Sequence, residues 1–246
     1  IAKQAGFSET AFISRSSIAD FKFDFFTPTK QIAHCGHATI GAFSYLKQTG
    51  RIAGTDSSKE TIDGIRKIKL VGELAFMEQT APSYIDVSSE ADLILQSLRI
   101  GQHDLYPGMA PTIVNTGNAF LIIPLKNRRV LQSLQPDLEK VAVYSKPYNL
   151  IGFYPFTLET ETTGRNAGTR MFGPYYGIPE ESGTGMAAGP LACYLYDKMK
   201  IIKEELLIEQ GNFMTPPSPS LLKVNLEITD GKISGLMAGG KGIVTG

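Results

Sequence analysis

The sequence predicts an α+β fold of two similar halves, each a strongly bent sheet around one central helix. Three observations carry that expectation. Most of the chain breaks into short β-patterned runs, punctuated by 25 glycines and 14 prolines that mark turns without any collagen-like period. Two helical stretches depart from that pattern in the same way, each opening with glycine and running on through small residues. These two stretches also align without gaps, Cys35-Gly36-His37-Ala38 followed by Tyr45-Leu46 against Thr184-Gly185-Met186-Ala187 followed by Tyr194-Leu195. An internal match of this kind reads as a duplicated unit. A plainer reading, that small residues let any helix pack tightly inside a wrapped sheet, stands beside it.

The elements follow in order. The opening IAKQAGFSETAF has the look of a helix already under way, and ETAFIS at 9–14 reads as a strand. With no initiator Met and no charged region leading into an apolar stretch, residues are expected upstream and no signal peptide is read. In DFKFDFFTP, Phe21, Phe23 and Phe25 alternate with Lys22 and Asp24, a period-2 strand stopped by Pro28. Residues 36–46 lose the alternation and form the first helix, closed by Gly50 as the residue just past its end. KETID, IRKIKLVG and ELAFMEQ are short strands joined at Gly64 and Gly72. Ser88 or Ser89 is placed to cap a helix that buries Leu93, Ile94 and Leu98.

A second cycle begins with strands APTIVNTG and NAFLIIPL around a Thr116-Gly117-Asn118 turn. LQSLQPDLEKV is a short helical stretch, NLIGFYPFTLE a strand, and residues 165–185 a loop rich in Gly and Pro. TGMAAGPLACYLYDKMK is the second central helix, ending at Lys198 and Lys200, where cations suit the dipole. LLIEQG, SLLKVNLEIT and KISGLMAGGKGIV finish as strands, and TPPSPS at 215–220 is a turn cluster. The halves are then residues 1–84 plus 231–246, and residues 85–230.

Composition narrows the function. The 246 residues divide into roughly 1.6 domains at about 150 each, enough for a sizeable core. Balanced charge, 24 basic against 24 acidic residues, excludes an acidic disordered tail and argues against a nucleic-acid or membrane-surface binder, which would lack a field to work with. No apolar run reaches the ~18 residues of a membrane span. Cys35 and Cys193 are too few and too far apart for a disulfide framework, which points to the reducing cytoplasm.

Five short motifs carry a resemblance. SETAF at 8–12, FTP at 26–28, CGHAT at 35–39, RMFGPYYG at 170–177 and EESGTGMAAGPL at 180–191 come in the order and approximate spacing of the PhzF (phenazine biosynthesis) family, across essentially the whole chain. That family resembles diaminopimelate epimerase in fold, two similar domains with the active site between them. The resemblance implies a cofactor-independent isomerase that moves a proton on a small carboxylic acid, with no metal and with a homodimer as the common state.

By the same resemblance Glu9 is the general acid/base. Desolvation of its carboxylate in the interdomain cleft raises its pKa toward the operating pH, so that one group both removes and returns the proton. His37 and Glu181 orient the substrate. Backbone N–H groups of Gly36, Ala38, Thr184, Gly185, Met186 and Ala187, at two glycine-opened helix starts, are candidates to hold the substrate carboxylate, and Cys35 beside them is counted with the substrate-binding residues. A nucleotide is discounted, since no GxxxxGK[ST] and no strand–GxGxxG–helix unit occurs.

Cys35 occupies the place of a catalytic cysteine of diaminopimelate epimerase, but its repeat partner is Thr184, so a two-cysteine mechanism lacks a member. Cys193, nine residues further along, cannot replace it. A one-cysteine epimerase and a non-catalytic binding or interaction protein remain as alternatives. Met186 stands where the family's studied member has serine five positions after its acid, which puts substrate identity in question. His34, Cys35 and His37 cluster in sequence, yet no second ligand cluster supports a metal. His34 and His103 read as structural or exposed, and Asn115, Gly117 and Asn118 as a hairpin turn or a wall of the cleft.

Overall fold

The computed structural model describes residues 1–5, 9–33, 35–62 and 64–242. Ser8 of the first motif, His34 and the tail of the last strand lie outside the described residues. The chain forms two compact units, Ile1–Glu78 with Ala238–Gly246, and Gln79–Met237. No helix among the described residues is long and apolar enough to cross a membrane.

The first unit contains α1 (Ala2–Ala5), β1 (Thr10–Ser14), β2 (Phe21–Phe26), β3 (Gln31–Ile32), α2 (Gly36–Gln48), β4 (Asp56–Thr61), β5 (Gly64–Val71) and most of β6 (Leu74–Thr80). Neighbours run β1-β2-β4-β5-β6, with β3 beside β2, and the β2/β4 pair is parallel. The phenylalanine alternation does what a period of two requires. Phe23 and Phe25 are buried, and Phe23 stacks on Phe43 of α2 with ring centroids 5.1 Å apart, while Lys22 and Asp24 take the other face. Gly50, at φ +70°, ends α2 in the left-handed region as expected.

The second unit holds β7 (Ser83–Asp86), α3 (Ala91–Ser97), β8 (Thr112–Asn115), β9 (Ala119–Pro124), α4 (Arg128–Ser133), α5 (Leu138–Tyr148), β10 (Gly152–Thr157), β11 (Ala167–Thr169), α6 (Gly185–Asp197), β12 (Glu205–Gln210) and β13 (Ser220–Thr229). Neighbours run β13-β12-β11-β10-β9-β8-β7, with β9/β10 and β11/β12 parallel. β14 (Lys232–Lys241) is divided between the units at residue 237. α6 packs on β8, β9 and β13, and every residue from Ala187 to Leu195 is buried. A separate core joins α3, α4 and α5 to the sheet through Ile94, Leu95, Leu98, Val130, Leu131 and Val141. Close packing explains Gly189: a Cβ there would stand 2.3 Å from the Gln79 Oε1 and 2.7 Å from Leu236.

Several local expectations need correction. α3 starts at Ala91, after a 3₁₀ turn over Ser88–Glu90, and neither serine caps it; instead Asp86 Oδ1 accepts the Ser88 N–H at 2.9 Å. Ile94, Leu95 and Leu98 share the buried face, which turns Leu93 outward to 63% exposure. The stretch at 131–141 is two helices broken around Pro136, capped by Asn127 (accepting from Val130 N at 3.0 Å) and Asp137 (accepting from Lys140 N at 3.2 Å). Residues 165–185 include β11 and a 3₁₀ turn over Pro174–Tyr176. α6 stops at Asp197, so Lys198 is its cap and Lys200 lies beyond it.

Candidate active site

In the first unit the site grows from the start of α2. Cys35 is the N-cap residue, in extended conformation (φ −146°, ψ 113°), and its side chain makes no capping bond. The start is held from below instead. The Thr39 hydroxyl donates to the Cys35 carbonyl at 2.6 Å, and the fully buried Lys59 of β4 donates from Nζ to Thr39 Oγ1 at 2.6 Å while lying over the Phe25 ring. That fixes the backbone from which Cys35 and His37 project.

Glu9, just before β1, meets them there. Its Oε2 stands 3.2 Å from His37 Nε2, with the carboxylate side chain only 7% exposed and the imidazole 39%. Cys35 Sγ, 5% exposed as a residue, is 3.6 Å from the same nitrogen and 3.8 Å from Nδ1. A carboxylate shielded from water and facing an imidazole nitrogen is an arrangement in which a proton can be held between the two or handed to a third group. The hydroxyl oxygen of neighbouring Thr10 is buried and has no hydrogen-bond partner among the described residues. The N–H groups of Gly36, His37 and Ala38 occupy the first turn of α2, where the helix supplies no acceptor.

In the second unit a buried amide organises the start of α6. Gln210, at the end of β12, accepts from Thr184 N at 3.0 Å and from Tyr154 OH at 2.9 Å, and donates to the Glu181 carbonyl at 2.6 Å and to Thr184 Oγ1 at 3.0 Å. The Thr184 hydroxyl in turn donates to Glu181 Oε2 at 2.8 Å. Burial pushes the Tyr154 phenol well above its ordinary pKa, so it remains a neutral donor in this network. Gln79 donates from Nε2 to the Gly185 carbonyl at 3.0 Å and accepts from the Thr116 hydroxyl at 2.6 Å, tying the 116–118 turn to the helix start. The turn itself is closed by the Asn115 side chain, which accepts the Gly117 N–H at 2.8 Å, and Asn118 Nδ2 reaches Met186 Sδ at 3.6 Å.

The adjacent Glu180 points elsewhere. It takes a bidentate pair from Arg170 (Nε to Oε1 and Nη2 to Oε2, both 2.8 Å), while Arg170 Nη1 donates to the Leu134 carbonyl at 3.0 Å and the guanidinium lies over Phe172. This clamp fixes the chain immediately ahead of Glu181.

The structure brings Glu9, Cys35 and His37 together in one unit, and Glu181, Thr184, Gly185 and Met186 together in the other. It modifies the backbone anion sites. The Thr184 N–H is bonded to Gln210, and the Ala187 N–H donates to the Thr184 carbonyl at 3.0 Å, so the first-turn donors of α6 are Gly185 and Met186. Cys193 is fully buried, and burial drives its thiol pKa far up, so it is no second thiolate. His103 is exposed, beside Asp104. Gln210, Lys59 and Gln79 were not legible as site supports, because each acts through a partner distant in sequence and a lone amide or cation in a strand gives no periodic signal. Arg170 opens a quoted motif, but its pairing with Glu180 did not show in the sequence.

Comparison with known proteins agrees on the family. A family model described as phenazine biosynthesis-like protein (PhzC-PhzF) matches residues 1–245. A protein of Escherichia coli O157:H7 named uncharacterized isomerase YddE is 31% identical over 224 residues, 87% of this chain and 71% of the relative. The trans-2,3-dihydro-3-hydroxyanthranilate isomerase of Pseudomonas chlororaphis is 26% identical over 257 residues, covering 100% of this chain and 85% of that enzyme. Among solved structures, the PhzF-family phenazine biosynthesis protein of Bacillus anthracis superposes with a TM-score of 0.85 at 27% identity, over 98% of this chain and 83% of the other. The expected α+β fold and the isomerase class are both borne out at this level.

Proposed function

Because the chain belongs to the phenazine biosynthesis-like (PhzC-PhzF) family, we propose that it is a cofactor-independent isomerase in which Glu9 removes a proton from carbon of a small carboxylic acid and returns it at another position. The observation that carries this reading is the Glu9 carboxylate, shielded from water and 3.2 Å from His37 Nε2. His37 steadies the carboxylate and orients the substrate, and its ring can stabilise charge that develops as the C–H bond breaks. First-turn N–H groups of α2 offer a place for the substrate carboxylate, with the unpartnered Thr10 hydroxyl close in sequence to Glu9 as a further donor.

The proposal keeps the interdomain cleft as the place of binding and gives Glu181 the orienting role on the second side, in which Thr184 and Gln210 support its carboxylate and carbonyl. Met186, where the studied relative has serine, meets Asn118 rather than offering a hydroxyl, which favours a substrate with an apolar face at that point. Two free cysteines are consistent with a cytoplasmic setting, and a homodimer belongs to the same proposal.

Deuterium uptake from D₂O tests it. The panel is trans-2,3-dihydro-3-hydroxyanthranilate, the substrate named for the Pseudomonas relative, together with other cyclic acids and amino acids. The expected result is incorporation that Glu9→Gln abolishes and Cys35→Ser retains. Loss with Cys35→Ser selects the one-cysteine epimerase, in which Glu9 stands opposite Cys35, and neither exchange nor ligand-induced thermal shift across the panel selects a non-catalytic protein.

A further inference from the structure

The same corner of the first unit has a second chemistry, independent of proton transfer. Glu9, Cys35 and His37 each offer one ligand atom, and these atoms lie within 4.8 Å of one another. Zinc-type bond lengths of about 2.0–2.1 Å to nitrogen, 2.0–2.2 Å to oxygen and 2.3 Å to sulfur, at tetrahedral angles, set nitrogen about 3.3–3.5 Å from oxygen and about 3.5–3.6 Å from sulfur. The corresponding separations are 3.2 Å from His37 Nε2 to Glu9 Oε2 and 3.6 Å from His37 Nε2 to Cys35 Sγ. Two edges of a coordination tetrahedron are therefore already close to the lengths a bound ion requires.

We propose that Glu9, Cys35 and His37 form a three-ligand site for a borderline transition-metal ion of the zinc class, which occupies the acid/base centre and does not serve as its cofactor. Thiolate, imidazole and carboxylate are the donor types such ions select, and three protein ligands leave a fourth position for water or a substrate carboxylate. The scaffold is supported on each side: Cys35 through its carbonyl by Thr39 and Lys59, and Glu9 by the β1/β2 pairing that begins at Thr10 and Phe26. The sulfur is nearly level with both ring nitrogens, so the imidazole must turn about its Cβ–Cγ bond to aim Nε2 at a shared ion, and its exposure leaves room to turn. The positive end of α2 opposes a cation at this point. Two anionic ligands, thiolate and carboxylate, offset the ion's double charge and answer that opposition. Metal at this position ties up Glu9, so an enzyme using Glu9 as its proton shuttle stops. That last step rests on the proposed function, while the binding does not.

Cobalt(II) as optical probe and zinc(II) as competitor test the site on the full chain. Expected is one equivalent of cobalt with sulfur-to-metal charge transfer and the intense d–d bands of a four-coordinate ion, displaced by zinc. Cys35→Ser removes the charge-transfer band and weakens binding by more than about tenfold, because even outer-shell groups are worth about 10- to 100-fold. Glu9→Gln weakens binding comparably and keeps the band, and His103→Gln changes nothing. The proposal is overturned if the unmodified protein shows no charge-transfer band, or if Cys35→Ser and Glu9→Gln both bind as before. Should Cys35→Ser fail to fold, the band in the unmodified protein and the Glu9→Gln titration decide between the same two outcomes, since Cys193 is fully buried. With deuterium exchange measured on the chelator-treated, metal-free protein, metal binding without any exchange keeps this site and sinks the isomerase reading; exchange without metal binding does the reverse.

Discussion

Gln210 and Thr184 hold each other by two hydrogen bonds, Gln210 Oε1 accepting the Thr184 N–H and Gln210 Nε2 donating to Thr184 Oγ1, each at 3.0 Å. Since Thr184 Oγ1 receives a proton from the amide, its own single proton is directed to Glu181 Oε2 at 2.8 Å. The carboxylate therefore depends on a hydroxyl whose orientation is set by a residue 29 positions away from it. Thr184→Val keeps the shape and removes the donor. A hydrogen bond to a charged group is worth about 1.5–3 kcal/mol, so this variant should lose about 2 kcal/mol in urea unfolding, with Thr184→Ser close to the unmodified protein. Gln210→Leu strands several buried polar groups at once and should be the most damaging of the three. Equal midpoints for the valine and serine variants would falsify the directed-proton argument.

Arg170 and Glu180 form the second support of the same loop. Four polar contacts converge on the guanidinium, two from Glu180 and two from the Leu131 and Leu134 carbonyls, and the pair is largely out of solvent. Removing one partner of a buried pair leaves the other charge uncompensated, at a cost of about 3–5 kcal/mol. Glu180→Gln should thus destabilise by an amount near the lower end of that range, because the carbonyls still satisfy Arg170, and Arg170→Lys should not restore what the planar fork provides. Calorimetry on both variants checks this, and a Lys variant as stable as the unmodified chain would show the bidentate geometry to be dispensable.

The contrast between these supports and the groups they hold explains what the sequence could show. The phenylalanine alternation of β2 and the small-residue run of α6 are local signals, and of the residues they nominate Phe23, Phe25 and Ala187–Leu195 are buried, while Phe21, Gly185 and Met186 are half-buried. Glu9, His37 and Glu181 stood out because they sit in short motifs. Gln210, Lys59 and Gln79 did not, since their importance lies in contacts 20 to 106 residues away along the chain. Leu93 failed for a different reason: the apolar run Leu93-Ile94-Leu95 offers more hydrophobic positions than one helical face can bury, and only tertiary packing picks Ile94 and Leu95. The break at Pro136 was legible in principle, because proline followed by Asp137 is a helix-start signal that outweighs the apolar spacing across it.

Asp104 gives the second unit a pH signature. Burial alone would raise its pKa, but the Lys126 ammonium at 3.0 Å, the Gly101 N–H and His103 outweigh burial and hold the carboxyl below its ordinary value. A carboxylate depressed on folding contributes stability that is fully present above the unfolded pKa of about 3.9 and is lost as pH falls through the lower folded value. Asp104→Asn should therefore lower stability at neutral pH by no more than about 1 kcal/mol, given solvent screening of the Lys126 pair. The difference should shrink toward zero in acid below about pH 3. Urea titrations of both proteins across that range measure it, and a difference that persists unchanged in acid would assign the effect to shape, not charge.

Lys59 links the core of the first unit to the candidate site. Its ammonium is fully buried, donates to Thr39 Oγ1, and through that hydroxyl fixes the Cys35 carbonyl at the first turn of α2. Lys59→Met fills much of the same volume and leaves the Thr39 hydroxyl without this charged donor, with an expected loss of about 1.5–3 kcal/mol. The more specific consequence is at Cys35. A loosened helix start exposes its thiol, so iodoacetamide should label Cys35 several times faster in the variant, with fully buried Cys193 as the internal control. Labelling of both cysteines together would mean global loosening, and unchanged Cys35 labelling in a stable variant would show that Lys59 supports the sheet alone and not the site.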